Sequence, residues 1–253
     1  MAEGDGLFIP NHRLRAILGL DAKNAAIVLP DADLDAAVAA TLTSCLLCAG
    51  QSCSAGELIL VQAAVVDAYL ERLCHAVDQQ VRLGSPFDPT TTLGPLNNEA
   101  TARKMDRHIA DALAQGASLL RGGQRATDFP TALYYQPTVL SQVTPTMLVA
   151  CEETFGPIMP VCAIQNEAEA LALINASTYG LLTSVFTRDL RRALHFAEAV
   201  RAGWVNINES TNWWELHLPF GGRAGSHSGV GRVGGRFTQE RFTELKTIVM
   251  RLE

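Results

Sequence analysis

One cysteine of the chain stands in a loop whose residue types suit nucleophilic chemistry. Cys53 lies within GQSCSAG (residues 50–56), between a predicted helix that ends near Gly50 and a predicted strand that begins at Leu58. A catalytic thiol needs access, a closely approaching backbone and N–H dipoles that stabilise its anion, and this loop can offer all three. The alternative is a small buried cysteine that packs like an apolar residue. The spacing alone leaves both interpretations open.

A carboxylate and an aromatic ring lie close together in the segment CEETFGP (residues 151–157). Glu153 precedes Phe155 by two residues, just before a Gly-Pro turn. Carboxylate oxygens accept hydrogen bonds, so this group can hold a ribose, and the ring can flank a flat heterocycle. The alternative interpretation is a solvated acidic turn.

The cysteines and histidines do not follow the pattern of a metal site. Cys45 and Cys48 form a C-x-x-C pair, but a structural zinc site takes four ligands and no second pair is present. The six histidines form no cluster with ligand spacing. A helix that continues through Cys48 would turn both cysteines to one apolar face, where they pack in the core. We therefore predict no metal.

Composition excludes several classes of protein. The 253 residues are 48% hydrophobic, which is typical of a globular chain and not of a disordered one. With 20 Lys and Arg against 26 Asp and Glu, the net charge is −6, so a non-specific nucleic-acid binder is not expected. No apolar run approaches the ~20 residues that span a bilayer, and the first ten residues lack the basic region of a secretory signal. We expect a soluble, cytoplasmic protein with reduced thiols and no membrane partner.

Predicted strands alternate with predicted helices along the chain. The strands are expected at 24–30, 58–61, 134–140, 160–164, 182–186 and 204–207, and the helices at 34–48, 65–83, 99–115, 167–174, 190–200 and 238–245. This alternation predicts an α/β layer structure around a mostly parallel sheet. The last residues, Lys246–Leu252, alternate in polarity like an edge strand.

Several segments, taken together and in order, resemble the C-terminal catalytic half of the aldehyde dehydrogenase superfamily. They cover most of the chain, from about Lys23 to Lys246. The segments are KNAAIVLPDADLDAAV (23–38), GQSC (50–53), LGPL (93–96), EETFGP (152–157), YGLLTSVFTRDLRRA (179–193), AGWVNIN (202–208), PFGG (219–222) and SGVGR (228–232).

The resemblance implies a fold and a chemistry. The fold would be the family's three-layer catalytic domain, without the N-terminal nucleotide-binding domain. Cys53 would attack an aldehyde to give a thiohemiacetal, hydride would leave to NAD or NADP, and water would hydrolyse the thioester to a carboxylic acid. Glu153 matches the acid that bonds the nicotinamide ribose, Phe155 the aromatic residue near the nicotinamide, and Lys104 a residue near the adenine ribose.

Two departures from the family pattern limit what this chain is expected to do. The family motif E-L-G-G-K reads Gly19-Leu20-Asp21-Ala22-Lys23, so glycine replaces the glutamate that activates water. The nucleotide-binding domain is also missing, together with the asparagine that completes the oxyanion hole. We therefore expect the chain to be incompetent alone for NAD(P)-linked turnover.

The same resemblance suggests how the chain is organised and what it contacts. Residues 1–19 would be a remnant or non-native leader, 20–234 the catalytic domain, and 235–253 a segment with an oligomerisation strand. Partners would be an aldehyde and either a second copy or the missing N-terminal half supplied in trans. Two further hypotheses are a non-catalytic interaction module and a residual thiol activity such as ester hydrolysis.

Overall fold

A seven-stranded, mostly parallel sheet forms the centre of the molecule. The computed structural model describes residues 18–252, and the secondary structure below refers to these. The strands are β1 (Leu18–Gly19), β2 (Asn24–Val28), β3 (Gly56–Gln62), β4 (Ser118–Arg121), β5 (Thr138–Ser141), β6 (Ile158–Ile164), β7 (Leu182–Phe186), β8 (Trp204–Ile207) and β9 (Gly229–Val230). The helices are α1 (Leu34–Leu46), α2 (Val66–Gln80), α3 (Glu99–Ala114), α4 (Leu148–Cys151), α5 (Glu167–Ala176), α6 (Leu190–Ala199) and α7 (Gly235–Phe242).

The order of strands in the large sheet is β4-β5-β6-β3-β2-β7-β8. Each neighbouring pair is parallel except β4 with β5 at one edge. Strands β2 and β7 are buried along their whole length, as expected for parallel strands whose two faces are both covered. The predicted α/β class with a mostly parallel sheet is confirmed.

Helix α1 shows how local sequence sets the elements next to the site. It begins after Asp33, whose side chain accepts a hydrogen bond from the Ala36 N–H at 3.2 Å. It ends at Leu46, two residues earlier than predicted, because Cys48 and Ala49 adopt left-handed φ angles of 52° and 57°. This break corrects the expectation that the C-x-x-C pair shares one face: Cys45 is buried, whereas Cys48 is exposed.

The C-terminal segment differs from the prediction. The final helix, α7, starts at Gly235 rather than at residue 238, and the edge strand expected at 246–252 is not formed within residues 18–252. A β-strand is defined by its hydrogen bonds to a neighbouring strand. Residues 246–252 pair with no strand in the described part of the chain, so they form none there. Its apolar residues are exposed, with Val249 at 87% and Met250 at 80%.

The two-residue strand β1 belongs to the region predicted to be a leader. It pairs antiparallel with β9, so Leu18 lies opposite Val230 and Gly19 opposite Gly229. The rest of that predicted leader, residues 1–17, lies outside the described residues. In the part of the chain from 18 to 252, no helix combines the length and the apolar character needed to cross a membrane.

Candidate active site

Three loops meet at the amino ends of neighbouring parallel strands. The Cys53 loop leads into β3, residues 20–23 lead into β2, and the turn of residues 152–157 leads into β6. Strands β6, β3 and β2 are adjacent and parallel, so the loops that precede them converge at the same edge of the sheet. The predicted nucleophile and the predicted cofactor residues are thereby brought into one region.

One glycine allows the Cys53 loop and the 152–157 turn to touch. Gly50 has a φ angle of +73°, and a Cβ atom there would lie 2.2 Å from the carbonyl oxygen of Gly156. Any other residue at position 50 would meet rigid backbone in addition to adopting an unfavourable φ angle. The contact is therefore one that only glycine permits, and it fixes the spacing between the two loops.

Cys53 is exposed at the tip of its loop. Desolvation by the surrounding loops raises the pKa of its thiol, and the nearby Glu153 carboxylate raises it further. The backbone amides of Cys53 and Ser54 oppose this shift, but the net change of the pKa is upward. The Ser54 N–H itself donates to the Ser52 hydroxyl oxygen at 3.3 Å. The thiol is accessible, and its environment favours the protonated form.

Residues 211 and 212, which follow β8, form hydrogen bonds with the Cys53 loop. The Thr211 hydroxyl donates to the carbonyl oxygen of Ser54 at 2.6 Å, and the Ser54 hydroxyl donates to Oδ1 of Asn212 at 2.6 Å. Asn212 in turn donates through Nδ2 to the carbonyl oxygen of Thr43 at 2.9 Å. The nucleophile loop is thus tied to helix α1 and to residues 211–212, a connection that the spacing of motifs does not reveal.

The carboxylate of Glu153 is half-buried and accepts a hydrogen bond from the Ala22 N–H at 2.8 Å through Oε1. Burial raises its pKa to about 7, an effect that Glu57 and Asp21 reinforce and that the Ala22 N–H and Lys104 oppose. Near neutral pH this group therefore exchanges between its charged and neutral forms. In its charged form it is a strong hydrogen-bond acceptor for a hydroxyl group.

The other two predicted cofactor residues lie beside Glu153. Lys104, on α3, donates through Nζ to the carbonyl oxygen of Glu153 at 3.2 Å. Phe155 is half-buried and has a φ angle of 60°, which is uncommon for a residue with a side chain. The three residues predicted to bind a cofactor therefore form a single group on one turn and one helix.

A buried ion pair supports this turn, and sequence reasoning did not identify it. Nζ of Lys23 lies 2.9 Å from Oε2 of Glu57, and each side chain is only 3% exposed. Glu57 also accepts the N–H groups of Thr154 and Phe155, both at 2.7 Å. A buried pair is stable when further hydrogen bonds satisfy its atoms, as they do here. The available signal was an acidic residue at the start of an otherwise apolar strand.

His108 packs beneath the same turn. Its Nδ1 lies 3.0 Å from the hydroxyl oxygen of Thr154, and its side chain is fully buried. Burial lowers the pKa of His108 to about 3, and the positive charges of Lys23 and Arg107 lower it further in the same direction. The imidazole is therefore neutral at physiological pH. This agrees with the expectation that the histidines are surface or satisfied core residues.

Aromatic side chains lie in the region that follows β8. The rings of Trp204 and Trp214 pack on Phe220, with centroid distances of 6.3 Å and 5.6 Å. Trp213 and Trp214 remain 46% and 45% exposed, directly after the Asn212 that holds the Cys53 loop. These rings provide apolar surface near the loop of the thiol.

Two further observations concern water activation and metals. Gly19, which the sequence resemblance places opposite the family's water-activating glutamate, is exposed, and a Cβ atom built there meets nothing within 4 Å. Among residues 18–252, no group of three His, Cys, Asp or Glu side chains could hold a metal ion.

Comparisons with known proteins identify the family to which the chain belongs. A sequence model described as the aldehyde dehydrogenase family matches residues 10–248. The chain is 39% identical to a betaine aldehyde dehydrogenase of Cereibacter sphaeroides over 231 residues, which are 90% of this chain and 46% of that protein. It is 40% identical to a succinate-semialdehyde dehydrogenase [NADP(+)] of Deinococcus radiodurans, with 94% and 48% covered.

Solved structures show the same relationship. An NADP-dependent enzyme of E. coli superposes with a TM-score of 0.87 at 36% identity, covering 92% of this chain and 47% of the other. A glyceraldehyde-3-phosphate dehydrogenase from Methanocaldococcus jannaschii, solved in complex with NADP, gives a TM-score of 0.85 at 34% identity, with 92% and 49% covered. The chain therefore spans about half the length of these relatives, and it belongs to the aldehyde dehydrogenase family.

Proposed function

We propose that this chain carries the thiol-bearing half of an aldehyde-oxidising site. The sulfur of Cys53 attacks the carbonyl carbon of an aldehyde and forms a thiohemiacetal, whose oxygen takes up the proton. Hydride from that carbon would pass to a bound oxidised NAD or NADP while the hydroxyl proton passes to solvent, which would give a thioester. Water would then release the carboxylic acid and restore the thiol. The observation that carries the proposal is the exposed thiol of Cys53, on a loop that enters β3 beside the Glu153 turn at the same edge of the sheet.

The residues of the 152–157 turn fit the nicotinamide-ribose end of NAD or NADP. Bound there, the cofactor would supply the acceptor for hydride. Glu153 offers a partly buried carboxylate that can accept ribose hydroxyl groups, and Phe155 offers a ring beside it. Lys104 fixes the turn through the Glu153 carbonyl oxygen and adds a positive charge.

The slow step should be release of the acid. Gly19 has no side chain that could take a proton from water, so the thioester on Cys53 should persist. If the chain binds the cofactor, or does so when the other half of the family fold is supplied in trans, we expect a burst of reduced cofactor. Its amplitude should be about one equivalent per chain, followed by little further turnover.

The test mixes the purified chain, alone and together with the other half of the family fold, with NAD or NADP and an aldehyde. It follows absorbance of the reduced cofactor and the mass of the intact chain. Betaine aldehyde and succinate semialdehyde are suitable probes because relatives are named for these substrates. The proposal is supported if the unaltered chain gains the mass of one acyl group and Cys53→Ser does not. The matched control is Cys151→Ser, since Cys151 is also exposed. Acylation that persists in Cys53→Ser, or none in any condition, would contradict it.

A second candidate function is favoured by the C-terminal segment. Five apolar residues there are exposed by 68% or more, namely Leu245, Ile248, Val249, Met250 and Leu252. Exposed apolar residues in an unpaired segment can add a strand to a second chain. As an interaction module, the chain would self-associate or bind the other half of the fold. Sedimentation of the chain and of Val249→Lys tests this, because a monomer in both cases removes self-association.

A further inference from the structure

A cavity of about 310 Å³ lies between the large sheet and helix α5, and the proposed chemistry does not use it. Neither Cys53 nor Glu153 lines this cavity. Four adjacent strands, β6, β3, β2 and β7, form its floor through Cys162, Leu60, Ala25 and Thr183. Leu173 and Ile174 of α5 form part of the remaining wall. The volume falls in the range of about 300–1,000 Å³ that is typical of small-molecule sites.

Apolar residues make up most of the lining, and residues with hydroxyl groups occur at two places. They are Thr183 on the floor and Ser177, Thr178 and Tyr179 on the segment that follows α5. A space of this size holds about ten waters at about 30 Å³ each. Waters beside the apolar lining lack hydrogen-bond partners, so an apolar chain that replaces them gains free energy.

The charge of the lining is positive. No acidic residue lines the cavity, and the two cations that do are Lys23 and Arg201. Lys23 is neutralised by Glu57, whose Oε2 lies 2.9 Å from its Nζ. Arg201 is exposed and forms no ion pair within the described part of the chain. Its backbone N–H donates to Oδ1 of Asn175 at 2.7 Å, so Arg201 lies beside the end of α5.

A second arginine without an ion pair lies behind the segment that follows α5. Arg223 packs against Gly180, where an added Cβ atom would lie 2.7 Å from the Arg223 Cγ. Its Nη2 donates to the carbonyl oxygen of Ser177 at 3.2 Å, whereas its Nε is buried and has no hydrogen-bond partner within residues 18–252. The two arginines make the 177–180 end of the cavity positive, and the hydrogen bonding of Arg223 is incomplete.

We propose that this cavity binds a small carboxylate with an unbranched apolar chain of about six to eight carbons. The chain lies between the sheet and α5, and the carboxylate lies at the 177–180 end, where Arg201 and the nearby hydroxyl groups donate to it. At about the volume of one water per carbon, eight carbons fill most of the space. This inference goes beyond the proposed function, because neither Cys53 nor Glu153 takes part in it.

The test titrates the full 253-residue chain with butanoate, hexanoate, octanoate and decanoate by isothermal titration calorimetry. Each added CH₂ group up to octanoate should lower the Kd by about 3- to 4-fold, which is the effect of burying one methylene. Decanoate should bring no further gain, because the cavity is then full. Octylammonium has the same chain and the opposite charge, so its Kd should be at least about 10-fold higher than that of octanoate.

Two variants test the two ends of the site. Arg201→Gln should raise the Kd of octanoate by about 3- to 10-fold and leave the Kd of octanol unchanged. Arg191→Gln is the matched control, because Arg191 is also exposed and does not line the cavity. Ala25→Leu adds apolar volume at the floor and should weaken octanoate more than hexanoate. Circular dichroism checks that each variant is folded, and Arg201→Gln, at an exposed position, decides the question if Ala25→Leu does not fold.

Several results would overturn the inference. One is the absence of binding for all four carboxylates, and another is an equal Kd for octanoate and octylammonium. An octanoate Kd that Arg201→Gln does not change would place the ligand elsewhere, for example on the exposed residues 245–252. Displacement of octanoate by the other half of the family fold would assign the cavity to the interface between the halves. None of these results affects the proposed function, which the acylation of Cys53 tests separately.

Discussion

Replacing Glu153 with glutamine should change how the stability of the chain depends on pH. Burial holds the pKa of this carboxyl at about 7 against its ordinary value of 4.5. The folded chain therefore binds this proton more tightly than the unfolded chain does. The contribution of Glu153 to stability is fully present below pH 4.5 and is lost as pH rises to 7.

The size of the effect follows from that difference in pKa. At ~1.4 kcal/mol per pH unit, the charged form costs the folded state at most about 3.5 kcal/mol. Because Glu153 is only half-buried, solvent screening should reduce this to about 1–2 kcal/mol. Glu153→Gln keeps an oxygen that can accept the Ala22 N–H and cannot ionise. The variant should therefore exceed the unaltered chain in stability by this amount at pH 8 and match it at pH 4.5.

Urea unfolding at pH 4.5, 6, 7 and 8 gives the free energy of unfolding of the unaltered chain and of Glu153→Gln. The difference between these two values measures the effect, because the contributions of the other titrating groups cancel. Glu152→Gln is the matched control, since Glu152 is the adjacent acid and its partner Arg107 lies 2.8 Å away in an exposed ion pair. Such a pair contributes about 0–1 kcal/mol. A Glu153→Gln variant whose stability runs parallel to that of the unaltered chain from pH 4.5 to 8 would refute the reasoning.

Three further predictions concern the same region. Lys23→Met should lower the free energy of unfolding by about 3–5 kcal/mol because the buried Glu57 would lose its cationic partner. Arg72→Met, in an exposed pair with Asp35, should cost under about 1 kcal/mol, and urea unfolding compares the two variants. The pKa of His108 is lowered to about 3 from 6.5, so the unfolded chain binds this proton before the folded chain does, and stability should fall as pH drops below 6.5. Urea unfolding from pH 6.5 to 4 should show a smaller loss of stability in His108→Gln. Gly19→Glu, for which there is space, should shorten the lifetime of a thioester on Cys53 in the intact-mass assay; an unchanged lifetime would argue against a missing base.

Local patterns were sufficient to predict most elements of the sheet. The apolar runs at 24–30, 58–61 and 182–186 correspond to β2, β3 and β7 because buried parallel strands need continuous apolar residues. The short strands β1, β4 and β9 and the helix α4 were not predicted, since two to four residues carry too little periodicity. The end of α1 was also missed, because it depends on left-handed backbone at Cys48 and Ala49 rather than on a proline or glycine at that point.

The tertiary structure was needed to find the residues that support the site. Glu57, Asn24 and His108 are separated in sequence from the loops they hold by 29 to 98 positions. A hydrogen bond between such distant residues leaves no local signature, since the residue type is compatible with many other environments. The single cue was a charged residue, Glu57, in an apolar strand.

The sequence by itself determined the α/β class, the position of Cys53 in a loop between a helix and a strand, and the family, because these depend on local periodicity and on the order of motifs. Only the tertiary structure showed that this cysteine is exposed. It alone also decided that the Cys53 loop, the Glu153 turn and the consecutive residues Lys23 and Asn24 meet at one edge of the sheet. The physical reason is that this edge is set by the order of strands β6, β3 and β2, which are paired across long stretches of chain. The pKa values that govern chemistry there follow from burial and neighbouring charge, which exist only after those strands have paired.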